Sequence, residues 1–183
     1  MSCMKKLIAL FIITIFFISA DAQKFYTTKS CQIKFNVGIG SENLKALTSE
    51  AESRWLENNG QILFSLALDR LSFENPSAGS VFKTTYLEID KFPKIEIKGF
   101  INEIEHIDLT IAGGNQVTID ATVNLHGSSQ KMTIPATLTV LSSGKIMLKS
   151  DFKIKLNDFK IIGKDISTKI APTANINIYC IYE

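Results

Sequence analysis

Residues that could carry catalytic or metal chemistry are few in this chain of 183 residues, which has two histidines. His106 and His126 lie about 20 positions apart, and neither has acidic or sulfur-bearing neighbours at the spacing of metal ligands. A hydrolase needs a nucleophile, a base and an orienting acid, and no such set accompanies either histidine in the sequence. We therefore predict no metal site and no catalytic triad, and we expect that the protein is not an enzyme.

The first 22 residues have the features of a secretory signal peptide. Lys5 and Lys6 precede an apolar run of about 12 residues, which is too short to span a bilayer. Ala20-Asp21-Ala22 then matches a signal-peptidase cleavage site. We expect cleavage after Ala22, which leaves residues 23–183 as one domain that is periplasmic or secreted and has no stable membrane insertion.

Cys31 and Cys180 remain after this cleavage and lie near opposite ends of the mature chain. Export to an oxidising compartment makes them candidates for a disulfide bond. The bond requires the first and last strands to be neighbours, as they are in a closed barrel. Two buried free thiols are the equal alternative, because unpaired cysteine is often buried.

The charge of the mature chain gives no sign of a nucleic-acid partner. The formal net charge of the full chain is +2, and removal of the predicted signal peptide takes away two lysines and one aspartate. The remaining charges are scattered singly along the sequence. We therefore expect neither nucleic acid nor an anionic membrane surface as a partner.

Alternation of apolar and polar residues predicts strands along most of the mature chain. It is clearest in residues 116–140, where two runs of period two flank a His-Gly-Ser-Ser turn and predict a β-hairpin with a turn of two to four residues. Pro135 lies in the second run and requires an edge, a bulge or an outward-facing amide. The other predicted strands are residues 25–37, 48–57, 61–73, 94–104, 146–156 and 174–182, with a turn or helical turn at 43–47 and a connection at 157–173.

Residues 77–90 are predicted to form one helix, because apolar side chains recur there at spacings of three and four. The members of this face are Val81, Phe82, Thr85, Tyr86 and Ile89. An irregular loop is the alternative, since β-branched residues weaken the helix propensity. Residues 61–73 are apolar on both faces, and we expect the helix to cover the outer one. About eight antiparallel strands with one inserted helix indicate an all-β barrel or sandwich, and the interior of such a barrel is either filled by side chains or holds one small ligand.

Two segments of the sequence resemble the YceI-like family of exported lipid-binding β-barrels. Residues 81–101 are similar to the family's helix, its Phe-Pro step and the strand that ends in Lys-Gly. Residues 123–140 are similar to its His-Gly hairpin, through Leu125, His126, Gly127 and Lys131, with one extra residue between His126 and Lys131. The chain departs from the family at residues 29–31, which lack a His-Ser pair, and at residues 157–159, which lack a preceding arginine.

The resemblance implies an extended eight-stranded antiparallel lipocalin-like β-barrel with one inserted α-helix. It also implies an exported, non-catalytic carrier for a long-chain apolar or amphipathic lipid of the isoprenoid, quinone or fatty-acid type. The partner would be this small hydrophobic ligand, with no cofactor other than a bound lipid or isoprenoid quinone; monomer and homodimer are both open.

The predicted ligand-binding residues are apolar side chains on the inner faces of the strands, together with two aromatic residues on the helix. Ordinary core packing is the alternative role for each of them, since interior barrel positions serve both purposes. They are Ile33, Phe35, Val37, Phe64, Leu66, Leu68, Phe82, Tyr86, Ile95, Ile97, Val117, Ile119, Val123, Ile134, Leu138, Leu148, Phe152, Ile154, Ile176 and Ile178.

Two further hypotheses are open at this point. A packed barrel that acts in stress or export through protein contacts is the alternative function, with Tyr26, Trp55 and Tyr179 as exposed aromatic residues. His126 either contacts a ligand at the barrel rim or hydrogen-bonds to the loop backbone. The second role is favoured, because the hairpin needs polar turn groups whether or not a ligand binds.

Overall fold

The period-two alternation produces eight long strands that close into an antiparallel barrel in the computed structural model, which describes residues 24–39 and 44–183. The predicted signal peptide lies outside these residues. The strands are β1 (Phe25–Gly38), β2 (Lys45–Leu56), β3 (Gln61–Ala67), the two-residue β4 (Ser72–Phe73), β5 (Lys94–Ile101), β6 (Gly113–Leu125), β7 (Ser128–Val140), β8 (Ile146–Lys155) and β9 (Ile170–Tyr182).

The barrel is closed by pairing between its first two strands. The sheet order is β1-β9-β8-β7-β6-β5-β3-β2, and β2 pairs with β1 to complete the ring, while β4 pairs only with β2. Every neighbouring pair of named strands is antiparallel. The predicted fold class, an eight-stranded antiparallel barrel with one inserted helix, is confirmed.

Helical structure is short and lies mainly between β4 and β5. The α-helix α1 (Pro76–Val81) continues as one π-helical turn, Phe82–Tyr86, and 3₁₀ turns occur at Leu68–Arg70, Ile104–His106 and Leu156–Phe159. Within residues 24–39 and 44–183, no helix has the length and apolar content needed to cross a membrane.

The β6–β7 hairpin has a two-residue turn, the shortest of the predicted lengths of two to four residues. His126 and Gly127 both have positive φ, 50° and 66°, as a type I′ turn requires. Pro135 pairs with Thr118 on β6, whereas the pairing of β7 with β8 begins only at Ala136. The proline therefore lies where β8 diverges from β7, so its missing N–H breaks no ladder.

A shift in register within β1 overturns part of the predicted alternation. The pairing with β2 is irregular between Thr28 and Cys31, so the side chains before Cys31 change faces. Phe25, which shares its parity with the buried Cys31 and Ile33, is 51% exposed, whereas Tyr26 is 7% exposed. Trp55 is 1% exposed, so the prediction that Tyr26 and Trp55 are surface aromatic residues is wrong, while Tyr179 is exposed.

Strand β2 begins earlier than predicted and replaces the expected turn at residues 43–47, of which residue 43 lies outside the described part. Its buried residues are Ala46, Thr48, Ala51, Ser53 and Trp55, and the pairing with β1 shifts between Thr48 and Ala51. Small and partly polar inward residues, together with this irregularity, conceal the strand pattern in the sequence.

The predicted strand at residues 61–73 is interrupted, and the helix does not cover its outer face. β3 ends at Ala67, where the 3₁₀ turn Leu68–Arg70 begins. Phe82 packs instead against Phe35 and Phe73, with ring centroids 5.8 and 6.0 Å away. The helical segment therefore closes an end of the barrel.

The helical segment and the strands β5 and β9 also have different bounds from those predicted. Regular helix ends at Tyr86 instead of residue 90, and Val81 and Thr85, predicted on the apolar face, are exposed. β5 ends at Ile101, three residues early, and β9 begins at Ile170, inside the predicted connection. These differences leave the order of the elements unchanged.

The barrel end opposite the helix is filled by three aromatic residues, and we call it the aromatic end. Tyr26 stacks on Trp55 with ring centroids 4.5 Å apart, and Tyr182 meets Trp55 edge to face at 6.3 Å. The hydroxyl of Tyr182 shares a buried hydrogen bond of 2.7 Å with Ser53 Oγ. Its pKa is raised because burial disfavours the charged phenolate.

A disulfide joins Cys31 of β1 to Cys180 of β9, with the Cα atoms 4.3 Å apart. The two strands are antiparallel neighbours, and the pairing of Gln32 with Tyr179 places the two cysteines opposite each other. Both residues are fully buried. Of the two sequence hypotheses, the structure contains the bonded pair.

Candidate ligand cavity and its lid

An apolar cavity of about 50 Å³ lies inside the barrel, beneath the helical segment. Its walls come from the strands β1, β3, β5, β6, β8 and β9, and from the turns that follow β3 and the π-helical turn. The lining residues are Ile33, Phe35, Phe64, Ser65, Leu66, Leu68, Leu71, Leu87, Ile95, Ile97, Leu125, Ile154, Ile176 and Ile178.

The lining has no titratable side chain, so the cavity has the chemistry of an apolar binding site rather than of a catalytic centre. Ser65 alternates with the buried Phe64 and Leu66, so its side chain points to the outer face of β3. The described residues also bring together no group of three or more His, Cys, Asp and Glu side chains that could hold a metal ion. Dispersion and the exclusion of water are the forces that such a site offers a ligand.

The size of the cavity limits what it holds in this conformation. At about 50 Å³ it exceeds the space that one water molecule needs but falls far below the roughly 300–1,000 Å³ of pockets for drug-sized ligands. A long chain therefore requires the lid or the lining side chains to move outward.

The segment that covers this end, residues 76–93, is here called the lid. α1 starts at Pro76, and the Asn75 side chain caps it by accepting a hydrogen bond from Ala78 N at 3.1 Å. Gly79 lies directly against Phe73, where a Cβ atom would come within 2.4 Å of the Phe73 Cβ. The helix thus approaches β4 closely enough to place Phe82 over the barrel interior.

One side of the lid is held by Tyr86. Its hydroxyl donates a 2.6 Å hydrogen bond to the Asp165 carboxylate, and Gly163 packs against its ring. The hydrogen bond to Asp165 raises the pKa of Tyr86 above its usual value, and burial raises it further. The connection between β8 and β9 therefore holds the lid by a polar contact.

The other side of the lid is held by His126 in the β6–β7 turn. His126 Nε2 lies 2.9 Å from a carboxylate oxygen of Glu88, and Nδ1 lies 3.0 Å from the carbonyl oxygen of Phe159. Both partners are acceptors, so the protonated ring, which donates through both nitrogens, satisfies both contacts. The side chain is only 9% exposed, and the contacts are those of a residue that joins two loops to the lid.

Residues around His126 complete this contact. Phe92 meets the imidazole edge to face at 4.6 Å, and a Cβ atom at Gly127 would lie 2.7 Å from that phenyl ring. Lys91 donates to Glu88 at 2.5 Å. The Lys91 ammonium, and secondly His126, lower the pKa of the Glu88 carboxyl.

The structure divides the predicted ligand-binding residues into two sets. Ten of them border the cavity: Ile33, Phe35, Phe64, Leu66, Leu68, Ile95, Ile97, Ile154, Ile176 and Ile178. The other ten pack in the core away from its wall: Val37, Phe82, Tyr86, Val117, Ile119, Val123, Ile134, Leu138, Leu148 and Phe152. Phe82 and Tyr86 belong to the lid.

Sequence reasoning missed Leu71, Leu87 and Leu125 as lining residues. Leu125 continues the period-two alternation of the inward residues of β6, so the sequence pattern could have predicted its inward side chain. Leu71 and Leu87 lie in irregular segments, where neither period two nor period 3.6 indicates which way a side chain points.

A closed antiparallel barrel with an apolar cavity beneath a short helical lid places the protein in the class of lidded β-barrels. The model of the YceI-like domain matches residues 22–180. The chain belongs to the YceI-like family, as the sequence resemblance predicted. No curated protein matches the chain.

Solved structures with the same fold are distant in sequence. A polyisoprenoid-binding domain from Saccharophagus degradans superposes with a TM-score of 0.74 at 13% identity, over 88% of this chain and 98% of that one. BcnA from Burkholderia cenocepacia gives 0.65 at 11%, over 82% and 95%. The YceI protein of Campylobacter jejuni gives 0.61 at 16%, over 79% and 88%. At these identities the likeness establishes the fold alone.

Proposed function

We propose that the protein is an exported, non-catalytic carrier that holds a long-chain apolar or amphipathic lipid inside its barrel. The observation that carries this proposal is the apolar cavity between a closed barrel and a lid that polar contacts hold at its margins. The polyisoprenoid-binding domain of the same fold supports an isoprenoid, quinone or fatty-acid type of ligand.

Export is part of the proposal and has separate support. The leader has the features of a signal peptide, and the Cys31–Cys180 disulfide suits an oxidising compartment such as the periplasm or the extracellular space. Detection of the processed chain, beginning at Gln23, outside the cytoplasm would support this part. Retention of an unprocessed chain in the cytoplasm would contradict it.

Native mass spectrometry of the mature protein, purified without detergent, tests the carrier function directly. We expect a discrete added mass that organic extraction identifies as an isoprenoid or fatty lipid. An unliganded mass, with no uptake of offered polyprenols, quinones or fatty acids, would overturn the proposal.

A matched pair of substitutions tests the location of the ligand. Leu66 borders the cavity and is 4% exposed, so Leu66→Trp should fill the space and reduce the bound lipid. Tyr179→Trp changes the outer surface and should leave occupancy unchanged. Equal far-ultraviolet circular dichroism spectra would establish that both variants fold, and equal lipid contents would then place the ligand elsewhere.

The second candidate function is a packed barrel that binds a protein through its outer wall. The small cavity favours it, and so does a shallow groove on β1, β2, β3, β5 and β6 where Phe25 and Phe100 are each 51% exposed. Arg54 and Lys98 line the same groove. Absence of lipid uptake, together with a partner lost on joint Phe25→Ser and Phe100→Ser substitution, would favour this function over the carrier.

A further inference from the structure

Ser128 has a buried hydroxyl that faces the barrel interior at the lid end. It is the first residue of β7 and pairs directly with Leu125 of β6. Directly opposed residues in antiparallel strands point to the same side of the sheet, so Ser128 faces the interior beside Leu125. Leu125 borders the cavity, whereas Ser128 is not one of the lining residues. Ser128 is 9% exposed, and its oxygen has no hydrogen-bond partner among residues 24–39 and 44–183.

The other buried hydroxyl groups of the barrel have partners. Ser53 Oγ bonds with the Tyr182 hydroxyl, Ser150 donates to the Pro135 carbonyl oxygen at 2.6 Å, and Thr48 accepts from Glu50 N at 3.1 Å. Among the four buried polar residues of the described chain, Ser128 alone is unpartnered. Because an unmet buried hydroxyl costs free energy, a serine at this position needs a reason beyond packing.

The hairpin turn does not supply that reason. The neighbouring Ser129 donates to Asn124 Oδ1 at 2.5 Å, so it is the serine that stabilises the turn. Both ring nitrogens of His126 already face Phe159 and Glu88. Trp55 Nε1, another buried atom without a partner among the described residues, lies at the aromatic end, away from the lid.

We infer that the Ser128 hydroxyl binds the polar headgroup of the lipid, and that this headgroup is a neutral oxygen group, an alcohol or a carbonyl. This inference rests on the proposed carrier function and specifies its ligand. A hydroxyl both donates and accepts, so it suits either group. No cationic side chain borders the cavity, so an ionised headgroup would lose its hydration there without an opposite charge.

The placement also orients the lipid. Ser128 begins β7 immediately after the two-residue turn, at the lid end of the barrel. The headgroup would therefore lie beneath the lid and the chain would extend towards Phe64 and Ile176 in the cavity. Entry and exit would take place at the lid end, with the aromatic end closed.

A competition experiment tests the assignment. Delipidated mature protein is equilibrated with geranylgeraniol, a methyl ketone of the same chain length, and the corresponding hydrocarbon without oxygen, and the bound ratios are measured after gel filtration. We expect the wild type to prefer the alcohol and the ketone. Ser128→Ala should reduce that preference by about 2- to 10-fold, the equivalent of one ordinary hydrogen bond, and should leave hydrocarbon binding unchanged.

Two control variants make the outcome specific. Ser129→Ala should keep the preference, because its hydroxyl bonds within the turn. Ser150→Ala should lower the urea midpoint of unfolding, because it removes the hydrogen bond from Ser150 to the Pro135 carbonyl oxygen. Ser128→Ala should leave that midpoint unchanged or raise it, because it removes a buried hydroxyl that has no partner among the described residues.

Each contrary result has its own meaning. An unchanged alcohol-to-hydrocarbon ratio in folded Ser128→Ala would overturn the headgroup assignment while preserving the carrier function. Destabilisation of Ser128→Ala as large as that of Ser150→Ala would also overturn it, because the hydroxyl would then have a partner within the protein. Failure of all three probes to bind the wild type would overturn the carrier function and this inference with it.

Discussion

The two ends of the barrel are closed by different means. At the aromatic end, Tyr26, Trp55 and Tyr182 fill the interior, and the buried Ser53–Tyr182 hydrogen bond accompanies them. At the lid end, a helical segment lies over an apolar cavity and is held by Tyr86 and Glu88 at its margins. Water cannot replace the contacts that buried aromatic rings make with each other, whereas it can replace the hydrogen bonds of half-buried polar groups. From this comparison we propose that the aromatic end provides stability and the lid end provides access to the cavity.

The largest expected effect is at the aromatic end. Trp55 is 1% exposed and contacts the rings of Tyr26 and Tyr182. Trp55→Ala should therefore lower the free energy of unfolding by about 3–5 kcal/mol, the usual cost of removing a large buried aromatic side chain. Urea denaturation followed by circular dichroism measures it, with Tyr179→Ala at the surface as the control. A loss of less than about 1 kcal/mol would mean that the aromatic end does not anchor the barrel.

Removal of the disulfide should have the next largest effect. Cys31 and Cys180 are separated by 149 positions, and closing so long a loop restricts the unfolded chain strongly. The double Cys31→Ala, Cys180→Ala variant should lose about 2–5 kcal/mol of unfolding free energy and retain its lipid. Mass measurement after alkylation of the native, unreduced protein provides the check on the bond itself. Two alkylated thiols in that protein would show that the cysteines are not bonded in solution.

The same chemical change can be made at each end. Tyr182→Phe leaves Ser53 unpartnered in the core and should cost about 1–3 kcal/mol, the penalty for an unmet buried group. Tyr86→Phe leaves the Asp165 carboxylate in a half-buried position that water can reach, so it should cost about 0.5–1.5 kcal/mol.

Ligand exchange provides the second readout for this pair. Tyr86→Phe should accelerate the release of a bound lipid, whereas Tyr182→Phe should leave the release rate unchanged despite its larger cost in stability. Release can be followed by transfer of a fluorescent lipid to acceptor vesicles. If the rate instead follows global stability in both variants, the two ends do not differ in function.

The sequence predicts the barrel better than the lid, and the reason is physical. Strand alternation reports which face of a strand is buried, and it located the β6–β7 hairpin and ten of the residues that border the cavity. A register shift in β1 turns Phe25 outward and Tyr26 inward. A bulge changes which alternate residues face the interior, and nothing in the sequence marks its position.

Placement of the lid depends on contacts that are remote in the sequence. Phe82 packs on Phe35 and Phe73, and His126 joins Glu88 to Phe159. Helical spacing shows that a segment has an apolar face but does not show what that face meets. This is why the sequence predicts the helix on the outer face of β3, whereas it lies at the end of the barrel.

The smallest expected effect concerns acid pH at the lid. Lys91 and His126 lower the pKa of Glu88 from its usual value of 4.5. A carboxyl group whose pKa is lower in the folded state stabilises that state above its unfolded pKa, and this contribution disappears as the pH falls through the folded value. The contacts of Glu88 with His126 and Lys91 should therefore weaken below about pH 4.5 and be intact at neutral pH.

Glu88→Gln separates this contribution from general acid denaturation. The variant should be less stable than the wild type at pH 6, and the difference should shrink towards pH 3, because a protonated Glu88 and a glutamine are both neutral. Urea unfolding at a series of pH values measures the difference, and Glu103→Gln provides a control carboxyl outside the lid. A wild-type advantage that stays constant across this range would show that the charge of Glu88 does not hold the lid. An advantage that disappears in acid, with faster lipid release in the same range, would show that a single carboxylate makes the lid end, and not the aromatic end, sensitive to pH.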